Sequence, residues 1–512
     1  MPVKTLHPDY KAMVDKWNRC EDVAAGQDRI HEQGSLYLPQ LSDQTPADYE
    51  AYKKRTTFFN AFWRTIVGLQ GMLFRKAPVV TLPDTVKAMM DNVTMDGTPM
   101  HIFALEIAEE CLKLGRVGVF VDYPEVDPSA TKADALIENH RPLMRSYCAL
   151  SIINWKTRTI NNVTKLSLVV LAEEATVAVD EFEDASIEQY RVLDLVDIAT
   201  ATGIQNCYRV RVFQIEKDKE TGKEVERLIS TSFPMVNGKV LNEIPFQFIG
   251  VDDVTWDVDE PPLIDLADLN LAHYRVSADY EHGCHFTGLP TPVISGYTVE
   301  KEGQSFMIGS MTAWVFPRPD AKASFLEFKG EGLGALEKNL ARKEAQMAIL
   351  GARMLEVQRG NGVESANTAS IHRSGEQSML ASMGQAISIG LTKALKVFCR
   401  FAGADETEAN IALNKDFFPA PMDALTITAL IAAWQNSAIS YETLIQNLQK
   451  GEVVDIQKTV EEEAAARAKN PPPLQQTDGT TPGNANATPH SASMAVGGKG
   501  ANPSSTQMQN GK

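Results

Sequence analysis

The chain has little of what marks secreted, membrane-spanning or nucleic-acid-gripping proteins. Its six cysteines, Cys20, Cys111, Cys148, Cys207, Cys284 and Cys399, are scattered with no CxxC pair, the pattern of reduced intracellular thiols rather than of a disulfide framework. No uninterrupted apolar run reaches the ~18 residues of a membrane span, so neither a transmembrane helix nor a membrane partner is expected. The opening MPVKTLHPDYKAMVDKW lacks an apolar core followed by a small-residue cleavage site. No secretory signal is therefore expected, and folding in a cytoplasm is. Positive charge is also in deficit, with 49 Lys and Arg against 66 Asp and Glu, a formal net charge of -17. Phosphate affinity comes mostly from Lys and Arg, so this balance argues against a protein that grips nucleic acid through a broad basic surface. It leaves nucleic acid open as cargo, because an acidic wall lets a polyanion slide past.

Local catalytic signatures are missing too. The sequence contains no GxSxG elbow, no HExxH and no GxxxxGK[ST] loop, and no pair of its many carboxylates stands out as general acid and base. GEGLGA at 330–335 has the GxGxxA form of a dinucleotide fingerprint. The helix it opens, however, leads to a polar loop and another helix, without the second parallel strand and acid that the cofactor fold requires; a Gly-rich strand-to-helix turn is the preferred reading. His282, Cys284 and His285, with Asp279 and Glu281 beside them, supply zinc-type donors. Three donors within four residues at a helix end do not converge readily on one tetrahedral ion, so helix-end polar groups are preferred to a metal site. No catalytic residue, cofactor or metal is assigned.

What is present is a long, globular composition. At 512 residues, 56.2 kDa and 44% hydrophobic residues, the chain is too long for one core, and two or more packed units are expected. Residues 49–74 place Tyr49, Tyr52, Phe59, Phe62, Trp63, Ile66 and Leu73 at steps of mostly three and four, predicting one helix stopped by Pro78. A second helix is predicted over 99–114, ended by Gly115, followed by a buried strand in GRVGVFVDYP (115–124). From about 150 to 250 the segments LSLVVLAEE, YRVLDL, CYRVRVFQI and IPFQFIG predict an antiparallel sheet or small barrel. A helix of roughly 36 Å is predicted at 262–285, after Pro261 and Pro262 and before Pro290 and Pro292. Short strands follow over 292–329.

The helix predicted over 333–357 sets Leu333, Leu336, Leu340, Lys343, Met347, Leu350, Met354 and Val357 on alternating three- and four-residue steps. Either a coiled-coil-like seam or an ordinary packed helix fits. A polar loop, 358–373, comes next. A helix over 375–402 carries Met379, Met383, Ile387, Leu391, Leu395 and Phe398 on one face, with Gly384 and Gly390 marking close packing or a bend. Two more helices, 423–436 and 441–450, have Asp423 and Ser440 as N-caps and Gly451 as a C-cap residue. Residues beyond about 470 have few apolar groups and no period, and disorder is expected there. Basic residues cluster mildly as Lys53-Lys54-Arg55, Arg342-Lys343, and Arg359 with Arg373.

The blocks YKKRTTFFNAFWRTIVGLQGMLFRKAP (52–78), GRVGVFVDYP (115–124), IINW (152–155), PPLIDLADLNLAHYRVSADYEHGCHFTGLPTPVISG (261–296), IGSMTAWVFP (308–317) and EAQMAILGARMLE (344–356) resemble the portal proteins, or head-to-tail connectors, of tailed bacteriophages. The likeness is to a subfamily often described only as a domain of unknown function. AISYETLIQNLQKGEVV (438–454) is similar to a segment common near portal C-termini. The resemblance covers roughly 10–455 and is most specific at 261–296.

It implies an α+β fold of portal architecture with wing, stem, clip and crown regions and long helices flanking a short β insert. By position, residues 1–261 would form the wing, helical and then β-rich. Residues 262–285 and 331–357 would be the stem helices, 286–330 the clip between them and 358–373 the tunnel loop. A long wing helix would lie in 374–416, crown-like helices in 417–469 and a disordered tail in 470–512. Leu333, Leu336, Leu340, Met347, Leu350 and Met354 would pack the stem against neighbouring subunits. Arg359, Asn361, Glu364, Asn367, Thr368, His372 and Arg373 would face double-stranded DNA as non-specific cargo.

The implied role is non-enzymatic. Rings of roughly 12 subunits at one capsid vertex serve genome packaging by the terminase, retention and ejection of DNA, and attachment of head-completion or adaptor proteins and the tail. The wing would meet the major capsid protein. The implied location is the virion, and the host bacterial cytoplasm during assembly. Two other classes are carried beside it: a multidomain cytoplasmic α+β enzyme, which a catalytic constellation in a deep pocket would favour, and another virion structural or adaptor protein, against which two long helices flanking a β insert would speak.

Overall fold

The computed structural model describes residues 2–124, 139–200, 203–217, 224–236, 238–288, 291–296, 319–326, 330–353, 378–415, 417, 422–451, 453–454 and 458–469. Two compact units divide the chain, residues 1–419 and 420–512.

The first unit opens with helices α1 (Pro8–Ala25), α2 (Gln27–Gln33), α3 (Pro46–Arg55) and α4 (Ala61–Leu73). Strand β1 (Val79–Thr81), a short α5 (Asp84–Lys87) and α6 (Met100–Leu114) lead to β2 (Arg116–Asp122) and β3 (Leu143–Cys148). Then come β4 (Ile152–Ile160), β5 (Val163–Ala178), β6 (Asp184–Thr200), β7 (Gly203–Lys217), β8 (Glu224–Ser232), β9 (Met235–Val236), β10 (Lys239–Val240) and β11 (Phe246–Gly250). The unit closes with α7 (Ile264–Gly288), β12 (Thr291–Ser295), β13 (Lys322–Leu326), α8 (Leu333–Arg353), α9 (Met379–Phe401) and β14 (Asn410–Ala412).

The result is a mixed α/β architecture with helices flanking sheets. A three-stranded antiparallel sheet, order β11-β2-β3, holds the centre. Six of the seven residues of β2 are buried, so both faces of this strand are covered. Helices α6 and α9 pack on the small sheet. Phe103, Ala104, Ile107, Ala108, Cys111 and Leu112 of α6 are buried at helical spacing, and Gly115 ends that helix in the left-handed region (φ 77), its N–H donating to Cys111 O at 2.9 Å. On α9 the two glycines mark close packing. A Cβ at Gly390 would stand 2.5 Å from Ile249 Cγ1 of β11, and one at Gly384 would stand 3.0 Å from Leu73 Cδ2 of α4.

Two expectations need correction. The single helix predicted over 49–74 is two, α3 and α4, separated at 56–60. Thr56 turns its hydroxyl back to Tyr52 O at 2.9 Å and Asn60 caps α4 by accepting from Trp63 N at 2.9 Å. Nor is the β region one sheet or a barrel. Strands β4 to β8 form an open antiparallel meander, while IPFQFIG contributes β11 to the central sheet, where Phe246 pairs with Phe120 and Gly250 with Arg116.

The meander forks. The β6–β7 ladder begins at Gln189 and Gln214, so β5 and β6 continue beyond it as a two-stranded ribbon towards their turn. Lys4 Nζ bridges the fork, 2.8 Å from Glu188 of β6 and 2.9 Å from Glu224 of β8.

The second unit contains α10 (Ala424–Gln435), α11 (Tyr441–Lys450) and α12 (Val460–Lys469). Asp423 accepts from Thr426 N at 3.0 Å and Ser440 from Thr443 N at 3.1 Å, as N-caps do. Gly451 closes α11 by donating to Asn447 O at 2.9 Å. Arg467 of α12 lies over the rings of Trp434 and Tyr441, 5.0 and 5.6 Å from their centroids. The tail at 470–512, expected to be disordered, lies outside the described residues.

Candidate functional site: two antiparallel rods on one footing

The longest helix in the described chain, α7, begins just after Pro261 and Pro262, which cannot donate hydrogen bonds and suit a helix start. At ~1.5 Å per residue its 25 residues span ~37 Å. Its first half is rooted in the core: Ile264, Leu266, Ala267, Asn270, Leu271, His273, Tyr274, Ser277 and Ala278 are all buried. From Asp279 to Gly288 no residue is buried. The helix therefore has a buried foot and a more exposed head.

Asn270 makes the footing specific. Its side chain is fully buried; Nδ2 donates to Phe59 O at 2.8 Å, and Oδ1 accepts from Ala61 N and Phe62 N at 3.0 Å each. Those groups belong to the break between α3 and α4, where backbone donors have no intrahelical partners. Further along, Tyr274 packs edge-on to Phe58 at 5.7 Å between centroids, and Tyr52 OH donates to Asp279 Oδ1 at 2.9 Å.

The second rod, α8, runs back along the first. Leu333 lies over Gly283, where a Cβ would stand 2.5 Å from Leu333 Cδ2. Eleven residues later Glu344 Oε1 is 3.4 Å from His273 Nε2, and Gly351 meets Thr65 of α4. Falling numbers on α7 thus match rising numbers on α8, an antiparallel pair. Burial lowers the proton affinity of His273, and Glu344 offsets this only in part.

Of the seam residues, Met347 is buried at 2% exposure and Leu333, Leu336, Leu340 and Leu350 are half-buried. Met354 lies outside the described residues. The resemblance implied that this face meets neighbouring subunits; within the chain its partner is α7. Four of the five described seam residues stay half-exposed beside α7, so the face keeps accessible apolar surface.

At the far end the rods are joined through the antiparallel pair β12–β13, in which Thr291 faces Leu326 and Ser295 faces Lys322. The strand before GEGLGA therefore belongs to an antiparallel hairpin and not to a parallel βαβ unit, and Gly330, at φ 66, serves as the turn into α8. His282 packs edge-on to Tyr52 and to Phe286, at 5.2 and 4.7 Å, and His285 lies 5.9 Å from Phe286. Among the described residues no group of three or more His, Cys, Asp or Glu is placed to hold a metal ion.

The loop residues Arg359, Asn361, Glu364, Asn367, Thr368, His372 and Arg373 all lie outside the described residues, as does most of the segment between β12 and β13. The sequence reading assigned no role to Asn270 and placed Tyr52 only on an apolar helix face. A signal existed for Asn270: it is a polar residue at helical spacing among Leu266, Ala267, Leu271 and Tyr274.

A polar cavity of about 590 Å³ lies between the two sheets, lined among others by Arg145, Tyr147, Glu173, Gln189 and Arg191. Arg191 Nε and Tyr147 OH donate to Glu173 Oε1 at 2.7 and 2.6 Å, and Gln189 Nε2 to Oε2 at 2.8 Å. Burial would push the Glu173 carboxyl up, but these donors hold it below its ordinary value. The cluster is internally satisfied and holds β3, β5 and β6 together.

Residues 262–402 match a family model described as a domain of unknown function, DUF4055. The matched segment starts two residues before α7 and ends one residue after α9, so it takes in both rods, the hairpin between them and α9. No match is found among curated proteins. Among solved structures, the chain is similar to one from the neck of an empty GTA particle computed with C6 symmetry (11% identity, TM-score 0.35, 80% of this chain and 95% of the other). It is also similar to one from the virion of the native gene transfer agent particle (12%, 0.34, 78% and 92%).

Proposed function

We propose that the chain is a portal subunit: one of a ring that forms the DNA channel at a capsid vertex and acts mechanically and electrostatically rather than as an enzyme. The observation that carries this reading is the antiparallel pair of long helices, footed in an α/β body and joined at the far end by a short antiparallel β element. Side by side around an axis, such pairs make the wall of a tube. The resemblance in sequence at 261–296 supports the same reading.

On this reading α7 and α8 are the stem and the β12–β13 region the clip that meets terminase during packaging and head-completion proteins later. The central sheet, the meander, the N-terminal helices and α9 form the wing, against the major capsid protein. The second unit is the crown. Segment 358–373, which continues from the footed end of α8, brings Arg359, Asn361, Glu364, Asn367, Thr368, His372 and Arg373 to the lumen for sparse phosphate contacts without sequence readout. Charge of -17 per chain sums to about -204 over twelve copies, and the part of it lining a channel disfavours DNA adhesion within a Debye length of ~8–10 Å.

Native mass measurement of the purified protein tests the ring. Twelve chains of 56.2 kDa make a species of about 0.67 MDa in a closed cyclic assembly, and a protein that stays monomeric at every concentration would end this reading. Substituting Arg359→Ala should alter packaging or retention of DNA while leaving the ring intact; loss of the ring would refute the loop assignment.

A further inference from the structure

The ribbon formed by the ends of β5 and β6 carries an exposed aromatic side chain. Phe182, in its turn, is 91% exposed, and Val179 beside it is 61% exposed. The turn is ordered: Asp180 Oδ1 accepts from Phe182 N at 2.7 Å and from Glu183 N at 2.9 Å, and Val179 N donates to Glu183 O at 2.8 Å. Four carboxylates, Asp180, Glu181, Glu183 and Asp184, flank Phe182 in the sequence, and none has an ion-pair partner among the described residues. Over 166–190 the chain has seven acids and no Lys or Arg.

The opposite bias is strongest over 51–83, which contains Lys53, Lys54, Arg55, Arg64, Arg75 and Lys76 and no acid; 139–172, with five bases and no acid, is a second such stretch. In the middle of 51–83 lies α4. Its inner face buries Phe62, Ile66, Leu69 and Leu73. Its outer face shows Arg64, Val67 at 46% exposure, Gly68 and Gly71. Among the described residues no atom lies within 4 Å of where a Cβ of either glycine would stand, so against these residues the helix surface there is an open, shallow apolar trough. At its start Phe59 is 41% exposed, with the Arg64 guanidinium 5.6 Å from its ring centroid.

We infer that the acidic, Phe182-tipped ribbon of one copy docks on the outer face of α4 of a second copy, the ring entering the trough at Gly68 and Gly71 and the carboxylates facing Arg64 and the bases around it. The inference rests on the ring reading and specifies one of its contacts. Two different patches with complementary charge are what a head-to-tail cyclic interface needs, since each copy must offer one patch to each neighbour. The turn is braced by its own hydrogen bonds, which limits the chain entropy lost on docking. Opposite charges set register and speed encounter, and the contact weakens with salt.

The test uses full-length protein. With Phe182→Cys and Gly68→Cys in one chain, mild oxidation should give a ladder of covalent oligomers on a denaturing gel that neither single variant gives. Phe182→Ala and Arg64→Glu should each raise the concentration at which the ring dissociates by tenfold or more, and Arg64→Glu combined with Glu181→Arg and Glu183→Arg should recover most of that loss. Both sites are exposed, so the variants should fold. A wild-type ring of normal mass that neither cross-links nor responds to Phe182→Ala overturns the docking contact and leaves the ring reading standing. A wild type that never self-associates overturns both. Loss of DNA binding in Arg64→Glu with an unchanged ring would assign α4 to phosphate and overturn the contact.

Discussion

Asn270 holds Phe62 from 208 positions away: its Oδ1 accepts the Phe62 amide at 3.0 Å at the start of α4, inside the core. The same oxygen takes the Ala61 amide, and Nδ2 reaches Phe59 O at 2.8 Å. One amide side chain therefore ties the foot of the first rod to the helix pair on which both rods stand. Asn270→Ala should cost about 2–4 kcal/mol, because a buried amide left unpaired costs ~1–3 kcal/mol beyond the lost bonds. Urea unfolding monitored by tryptophan fluorescence would measure this, and a change below about 0.5 kcal/mol would show that the clamp is dispensable.

Two glycines in close contacts should answer differently to the same substitution. At Gly118 in β2 a methyl would stand 2.1 Å from Phe246 Cζ and 2.9 Å from Ile152 Cδ1. A ring packed in the core cannot step aside, so Gly118→Ala should destabilise by ~3 kcal/mol or more. At Gly283 the obstacle is the terminal methyl of Leu333, which can rotate, and alanine gains ~1 kcal/mol of helix propensity. Gly283→Ala should be close to neutral. Comparing denaturant midpoints decides it; equal losses would mean that the rods are locked as tightly as the core.

His273 gives the footing a pH dependence of definite sign. Burial lowers its proton affinity in the folded chain, whereas the unfolded chain titrates near ~6.5. Below that value the unfolded state binds a proton that the folded state resists, so stability falls as the pH drops below ~6.5 and is insensitive to this group above it. Between pH 7.5 and 5.5 the loss in urea midpoint should be smaller in His273→Gln than in the wild type. Parallel slopes would remove His273 from the account.

Arg191 and Glu173 should be strongly coupled. Arg191→Met leaves Glu173 and Asp122 buried without their cation and should cost ~3–5 kcal/mol, as breaking a buried pair does. Adding Glu173→Gln should return a good part of that loss, since the stranded charge is removed with it. A double-mutant cycle on unfolding free energy tests this; strict additivity would show that the two side chains act independently.

Much was legible from local chemistry. Asp423, Ser440 and Gly451 sit where their helix ends were expected, because a short side-chain acceptor before a helix and a glycine after it act within one turn. The strand in GRVGVFVDYP and the glycine that ends α6 were equally local. The break at 56–60 was not: residues 49–74 keep a helical period throughout, and what favours two helices over one is a buried amide on α7. IPFQFIG read as a fourth segment of one antiparallel sheet or small barrel because composition does not tell a strand which edge it will join.

The sequence by itself determined the helix ends marked by Gly115, Asp423, Ser440 and Gly451, which helix faces are apolar and the segregation of acids and bases into separate stretches, since these depend on neighbours within a turn or a pleat. Only the tertiary structure decided that the apolar seam of α8 lies along α7, that β11 belongs to the central sheet, and that the Phe182 turn stands in solvent. Those outcomes turn on which distant surface reaches a given face first and covers it, and no local period encodes that.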